Sequence, residues 1–316
     1  MPRLVTESYS RQPRLKYPIG TGGKVQDTRR LDSGHRSPFS LLALRQLLCN
    51  VFLPQGYPHS VTEDYIEYQC WDTLQALASS LTGALATEAV LTGAGVGNKD
   101  ATALAATITW LLKDGCGMVG RIAFSYAKGT ELDAESKKWR LVADVLNDLA
   151  FLIDLLSPAF SSLFLPMACT SSLLRCIVGV AGGATRTSIV QHQARRNNLA
   201  DVAAKDGSQE TLVNVIALLT SLVLLPLVSG KKTVVWILFT IFTAVHLFAN
   251  YRAVRSLRFE VFNRNRLVIA IRHFLSHSSV PSVHEANEAE PLFVDLLGPA
   301  SLGCTRWDWE WEEREE

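Results

Sequence analysis

Residues Thr211 to Gly230 read TLVNVIALLTSLVLLPLVSG and Thr233 to Tyr251 read TVVWILFTIFTAVHLFANY, with only Lys231-Lys232 between them. Neither stretch holds an Asp, Glu, Lys or Arg, over twenty and nineteen residues respectively. A helix rises about 1.5 Å per residue, so each can cross the roughly 30 Å hydrocarbon core of a bilayer. So short a connection leaves the two side by side, and backbone in hydrocarbon must satisfy its own hydrogen bonds. The pair therefore predicts an antiparallel transmembrane helical hairpin over 211–251. The same letters also suit a buried hairpin in a large soluble bundle, where helices apolar all round occur.

Flanking charge orients the hairpin. Arg195, Arg196 and Lys205 precede it and Arg252, Arg255, Arg258, Arg264 and Arg266 follow it, eight against the two lysines of the turn. The excess puts both ends on the cytoplasm-like side. Arg252, Arg255 and Arg258 also make a polybasic segment that attracts anionic lipid headgroups, each charge contributing about 1 kcal/mol near the surface.

The whole chain agrees with a core or a bilayer. Its 316 residues are 48% apolar and only 19% charged, below the roughly 25% usual for soluble domains. With 31 basic and 30 acidic residues the net charge of +1 gives no electrostatic case for nucleic acid. A mean hydropathy of +0.14 is low for a compact many-pass bundle, so some helices are expected to pack in protein or lie at the interface. Cys49, Cys70, Cys116, Cys169, Cys176 and Cys304 form no C-x-x-C pair, which disfavours disulfide and zinc frameworks. No N-x-S/T acceptor and no early apolar run of secretory type occur.

Three regions follow. Residues 1–36 hold eight basic against three acidic residues and a glycine cluster, and read as a mobile basic arm. Residues 37–275 read as one all-α domain, with breaks expected at Pro54 to Pro58, Gly93 to Gly97, Gly115 to Gly120, Ser157-Pro158 and Gly182-Gly183. From Glu285 onward ten acidic residues face two basic ones, so 276–316 reads as an acidic, disordered tail. The clearest helix begins near Asp133 and ends at Ser157 before Pro158. On it Val142, Val145, Leu146, Leu149, Leu152, Ile153 and Leu156 form one stripe, opposite Lys137, Arg140, Asp144, Asn147, Asp148 and Asp154. Leu155 to Leu174, Thr73 to Thr87 and Ala101 to Leu112 are marginal spans, too short or too rich in Ser and Pro.

Several motifs are candidates for chemistry. Gly115, Gly117 and Gly120 spell G-x-G-x-x-G, but no strand-helix-strand unit surrounds them, so close helix packing through small residues is the better reading. Gly93 to Asp100 evokes a P-loop without its second glycine, which excludes nucleotide triphosphate binding. Asp144 and Asp148, four apart, are a polar lining for a solute if their helix is immersed and a solvated face if it is not. His246 lies inside the second span, where a neutral imidazole bonded to a facing helix would satisfy it. His273 and His277 lack the glutamate of a zinc protease and read as a surface pair. Lys113-Asp114-Gly115 and Lys205-Asp206-Gly207 put opposite charges and a glycine where helix ends are expected, and together they could frame a polar ligand.

Four blocks carry a resemblance: PQGYPHSVTEDYIEYQCWDTLQ (Pro54 to Gln75), WLLKDGCGMVGRIAF (Trp110 to Phe124), SKKWRLVADVLNDLA (Ser136 to Ala150) and NLADVAAKDGSQETLVN (Asn198 to Asn214). In this order they resemble the root UV-B sensitive (RUS) family over roughly residues 37–275. The resemblance implies a multi-pass membrane protein with no assigned catalytic residues. It also brings the plant relatives' links to seedling development, light-stress sensing in roots, auxin transport and vitamin B6 homeostasis, and a pairing of paralogues. The family usually continues into a further C-terminal region, so the CTRWDWEWEEREE ending suggests a shortened form.

The expectation is thus an all-α, membrane-associated helical bundle with a transmembrane hairpin, in an intracellular membrane of unassigned organelle. It is expected to be no enzyme, to hold no cofactor or metal, and to partner the lipid membrane and a second copy or a family paralogue. Its expected activity is to bind or move a small solute or scaffold a partner. The alternatives are a membrane-anchored adaptor without transport and a vitamin B6-handling enzyme, for which Lys113 and Lys205 are the only Schiff-base candidates.

Overall fold

The computed structural model describes residues 3–7, 15–19, 29–30, 48–93 and 103–293. Three strands, β1 (Arg3–Glu7), β2 (Leu15–Ile19) and β3 (Arg29–Arg30), form an antiparallel sheet in that order, with Val5 opposite Tyr17 and Lys16 opposite Arg29. The segment read as a mobile arm therefore carries strand pairing. Among the described residues beyond it the long elements are helices: α1 (Tyr65–Gly93), α2 (Ala103–Lys128), α3 (Ser136–Leu156), α4 (Phe164–Gln193), α5 (Leu199–Val228), α6 (Lys232–Ser256), α7 (Arg264–His277) and α8 (Val283–Glu288).

Helices α1 to α6 make an up-and-down bundle, and the contacts give its register. Asp72, Ser79 and Ala86 of α1 meet Arg140, Asn147 and Phe151 of α3, so these two run parallel. Gln69 and Ser80 meet Asp206 and Asn214, which makes α5 parallel to them as well. Trp71 and Ala86 meet Phe248 and Phe239, so α6 is antiparallel. Helix α4 returns along α3, from Arg175 at Asp154 to Ser188 at Ser136. The connections after α2, α4 and α6 thus share one end of the bundle, and α7 and α8 close that end. This is the basic end that the flanking charges marked.

The hairpin forms as read, with α5 ending at Val228 and α6 starting at Lys232. Gly230 takes φ +77° in the turn, a conformation that suits glycine. Its outer faces are not covered by protein: Leu218, Leu219, Leu222 and Val223 are all more than half exposed. This excludes the buried soluble hairpin, because so continuous an apolar surface marks a membrane or a partner. Four helices, α1, α4, α5 and α6, are long and apolar enough to cross a membrane.

Two expected breaks are continuous helix instead. Helix α2 runs through Gly115, Gly117 and Gly120, and α4 runs through Gly182-Gly183, because glycine breaks helices in water more readily than in helices packed on apolar neighbours. The uncharged window Leu155 to Leu174 is not one span. It straddles a turn at Ser157–Ala159, with Pro158 near its start, and a second turn at Ser161–Leu163. Helix α3 starts at Ser136, three residues after the expected cap, and Glu135 makes no side-chain cap.

The boundary expected at 275–276 falls in the last turn of α7. Part of the expected acidic tail is packed structure: α8 opens with a capping box between Ser282 and Glu285, and Asn287, Glu290 and Leu292 are buried. The glycine-containing stretch 94–100 and the segment with Trp307, Trp309 and Trp311 lie outside the described residues.

Candidate functional site

Helix α3 buries its carboxylates along with Leu141, Ala150 and Phe151 and leaves part of its apolar stripe outside. Asp144 is 9% exposed, Asp148 6% and Asp154 0%, whereas Val145 and Leu149 on the apolar stripe are 45% and 42% exposed. In water the cost of burying carboxylates and exposing this stripe would turn the helix over; against hydrocarbon the orientation is the favourable one. Segment 141–156 thus turns its carboxylates to the bundle axis and part of its apolar stripe outward, as suits a helix covered by hydrocarbon or by another protein.

Those charges meet partners from two other helices. His246 of α6 is fully buried, with Nδ1 2.8 and 2.9 Å from the Asp148 carboxylate oxygens. Its Nε2 lies 3.5 Å from Gln75 Nε2 and 3.9 Å from Asp144 Oδ1. Gln75 Nε2 donates to Asp144 Oδ2 at 2.6 Å, while Gln75 Oε1 is buried without a protein partner. One turn toward the basic end, Arg140 donates to Asp72 at 2.7 Å and keeps its Nε unpartnered. A carboxylate only accepts, so the Asp148 bond fixes the proton of a neutral His246 on Nδ1 and leaves Nε2 as an acceptor.

Asp72, Gln75 and Arg140 of this cluster line one wall of a polar cleft of about 330 Å³ between α1, α4 and α5, with Asp144, Asp148 and His246 behind them. On the opposite wall Arg186 bridges Asp206 at 2.6 Å and Glu210 at 2.5 Å, and Gln69 donates to Asp206 at 3.2 Å. Gly179, Gly182 and Gly183 line the α4 side, and a Cβ on any of them would meet nothing within 4 Å. The unbroken glycine helix thus keeps room between α4 and α5. At the floor Ser80 donates to Asn214 at 3.2 Å, and an apolar groove between α1 and α5 continues below.

The expected site residues divide between this cleft and other places. Of the expected residues only Asp206 lines the cleft, while Asp144 and Asp148 lie behind its wall, bonded to Gln75 and His246. The two Lys-Asp-Gly triplets lie inside helices α2 and α5, not at helix ends, and do not meet. Lys113 is buried beside Trp110 toward the other end of the bundle, where Arg175 pairs with Asp154, while Asp114 is exposed. Lys205 donates to the carbonyl of Asn50 at the basic end. Gly117 and Gly120 are packing glycines, since a Cβ on them would meet Cys176 Sγ at 2.7 Å and Leu173 Cδ1 at 2.0 Å; Gly115 has open space. Sequence reasoning missed Asp72, Gln75, Arg186 and Glu210. Their signal was there: polar residues three or four apart inside otherwise apolar helices.

Comparison with known proteins now places the chain. Residues 40–278 match the family model described as the vitamin B6 photo-protection and homoeostasis domain. The chain belongs to the root UVB sensitive (RUS) family. It is 47% identical over 254 residues to RUS family member 1 of Dictyostelium discoideum, covering 79% of this chain and 48% of that protein. It is 44% identical over 249 residues to protein root UVB sensitive 3 of Arabidopsis thaliana (78% and 57% covered) and 32% over 243 to the chloroplastic root UVB sensitive 2 (77% and 55%). The chain spans about half the length of these curated relatives. No solved structure matches.

The other residues singled out in this RUS chain sit at the basic end. Arg252 stacks over Trp71 and lies 3.8 Å from Glu67, Arg258 is 3.8 Å from Glu63, and Arg255 donates to the carbonyls of Glu288 and Glu290. Each is tied to the protein as well as open to the surface. His273 and His277 are an exposed stacked pair. Among the described residues no group of His, Cys, Asp and Glu has the arrangement of a metal site.

Proposed function

We propose that this RUS-family chain is a multi-pass membrane protein that binds a small polar solute, of the size and charge of a B6 vitamer, in the cleft between α1, α4 and α5. The observation that carries the reading is unpartnered polarity at its wall: Gln75 and Arg140 line the cleft, and Gln75 Oε1 and Arg140 Nε are buried without protein partners. A buried donor or acceptor left unmade costs about 1–3 kcal/mol, so a site that retains both is suited to a ligand that supplies the missing bonds. The flanking Arg186, Asp206 and Glu210 offer both signs of charge, as a zwitterionic or phosphorylated ring compound requires.

The family description supports a vitamer as the first solute to try. No lysine lines the cleft, so binding there is non-covalent; Lys113 and Lys205, the Schiff-base candidates, are elsewhere. The full chain in lipid nanodiscs should bind pyridoxal, pyridoxine or one of their 5′-phosphates by calorimetry, and Arg186→Gln should weaken that binding at least tenfold. Equal affinity in the wild type and Arg186→Gln, or no binding of any vitamer, would rule out the vitamer reading.

A further inference from the structure

We propose that His246 is a proton-binding site whose occupancy sets what the cleft offers a solute, so that solute binding is coupled to protonation. The coupling half rests on the cleft reading above; the proton site stands without it.

Charge is the first argument. The groups facing the imidazole are Gln75 and, through Arg140, Tyr68 and Asp72 of α1, with Arg140, Asp144 and Asp148 of α3; Arg186, Asp206 and Glu210 lie across the cleft. Around His246 three carboxylates therefore face one guanidinium. A proton is the smallest charge that eases this imbalance, and an imidazole is the side chain whose ordinary titration lies near neutral pH.

Geometry supplies the second. With Nδ1–H given to Asp148, Nε2 accepts from the Gln75 amide, which also donates to Asp144. When a second proton arrives on Nε2, donor faces donor. The new N–H is taken by Asp144 Oδ1, which now stands 3.9 Å away, and the Gln75 amide is displaced toward the cleft it already lines. There it adds a donor to the acceptor Oε1 that was free before. Protonation thus favours a solute with more acceptors, and such a solute favours protonation, by the reciprocity of linked binding.

A third observation extends the polar line. Thr243 and Asn250 lie on the face of α6 that carries His246, at i−3 and i+4. Thr243 Oγ1 and both amide atoms of Asn250 are buried without partners, and Asn250 points the line to the basic end. Orphaned polar atoms flanking a buried imidazole on both sides are the groups that would solvate a proton on its way to it.

The test is nitrogen NMR on the full chain with 15N-histidine in nanodiscs, with His246→Gln to assign its signal among the seven histidines. The expected result is a neutral form protonated on Nδ1 and a single titration within the pH range over which the chain stays folded. Gln75→Leu removes a donor to the neutral ring and should raise the midpoint by about half a unit to one unit. Asp148→Asn should lower it by a unit or more. A His246 that keeps one protonation state over that range, or a neutral form protonated on Nε2, overturns the site. An unchanged midpoint in Gln75→Leu, with the other histidine signals in place, overturns the coupling. If Asp148→Asn does not fold, the wild-type tautomer and Gln75→Leu still decide. Should vitamers fail to bind while His246 titrates as described, only the vitamer reading falls.

Discussion

His246 Nδ1 sits 2.8 and 2.9 Å from the two carboxylate oxygens of Asp148, across 98 residues of sequence and with no exposure of the imidazole. The pair joins α3 to α6 in the middle of the bundle. Removing one member of a buried, hydrogen-bonded pair strands the other, which typically costs about 3–5 kcal/mol. His246→Leu should therefore lower the unfolding midpoint in detergent substantially, because Asp148 is left without its donor. Exchanging both for apolar residues should recover most of the loss, as such replacements are often neutral. If the double variant His246→Leu/Asp148→Leu is as unstable as the sum of the singles, the two do not act as a pair.

The glycines of α2 give a graded series. A Cβ at Gly120 would meet Leu173 Cδ1 at 2.0 Å and one at Gly117 would meet Ser172 Oγ at 2.9 Å, while at Gly115 it would meet nothing within 4 Å. Gly117→Ala and Gly120→Ala should each destabilise the α2–α4 contact by about 1–3 kcal/mol through overpacking. Gly115→Ala should stabilise by roughly 0.5–1 kcal/mol, because alanine is the better helix former. Thermal unfolding of the three variants checks the order, and a uniform effect would mean that the spacing does not serve packing.

How much of this was legible differs from helix to helix. The hairpin was, because Leu212 to Val228 and Val234 to Ala249 hold no charge to interrupt the reading. Helix α1 was only marginal: Asp72 and Glu88 cut its apolar text short, and Asp72 is compensated by Arg140, which only the tertiary structure supplies. The window Leu155 to Leu174 misled in the opposite way, since lack of charge says nothing about a turn, and Ser157-Pro158 makes one. Asp144 and Asp148 were visible as a pair on one face, but which face turned inward depended on the solvent outside. Their bonds to Gln75 and His246 depended on the helix order, which no local pattern contains.

The outward apolar stripe of α3 predicts an asymmetric response to charge. Leu149 is 42% exposed on the outer stripe, and placing a lysine at hydrocarbon depth costs about 2.5–3.5 kcal/mol on insertion scales. Leu149→Lys should reduce the fraction of protein that resists carbonate extraction from membranes. Asp133→Lys, at an exposed position before α3, should leave it unchanged. Equal extraction of both variants would place the outer face of α3 against water or protein and would remove the case for its immersion.

At the basic end, Lys137 in the first turn of α3 donates to Asn287 at 2.8 Å and pairs with Glu290 at 3.2 Å, and Glu290 also binds Arg266 at 2.8 Å. The lysine helps tie α8 to the bundle, together with Arg255 and the backbone of Phe259. Burial brings Lys137 down from 10.5 to about 8, against the pull of the Glu290 carboxylate. Between these values the unfolded chain holds a proton that the folded chain has released, so the contribution of Lys137 to stability rises with pH across that window and is flat below it. Lys137→Met should abolish this rise while leaving the Arg266–Glu290 pair intact. Glu290→Gln acts differently, since it leaves two cations facing each other without a carboxylate, and should release the 283–292 segment to proteolysis at neutral pH. Unfolding curves of wild type and Lys137→Met from about pH 7 to pH 10 decide the first claim: parallel curves would show that Lys137 keeps its proton in the folded chain.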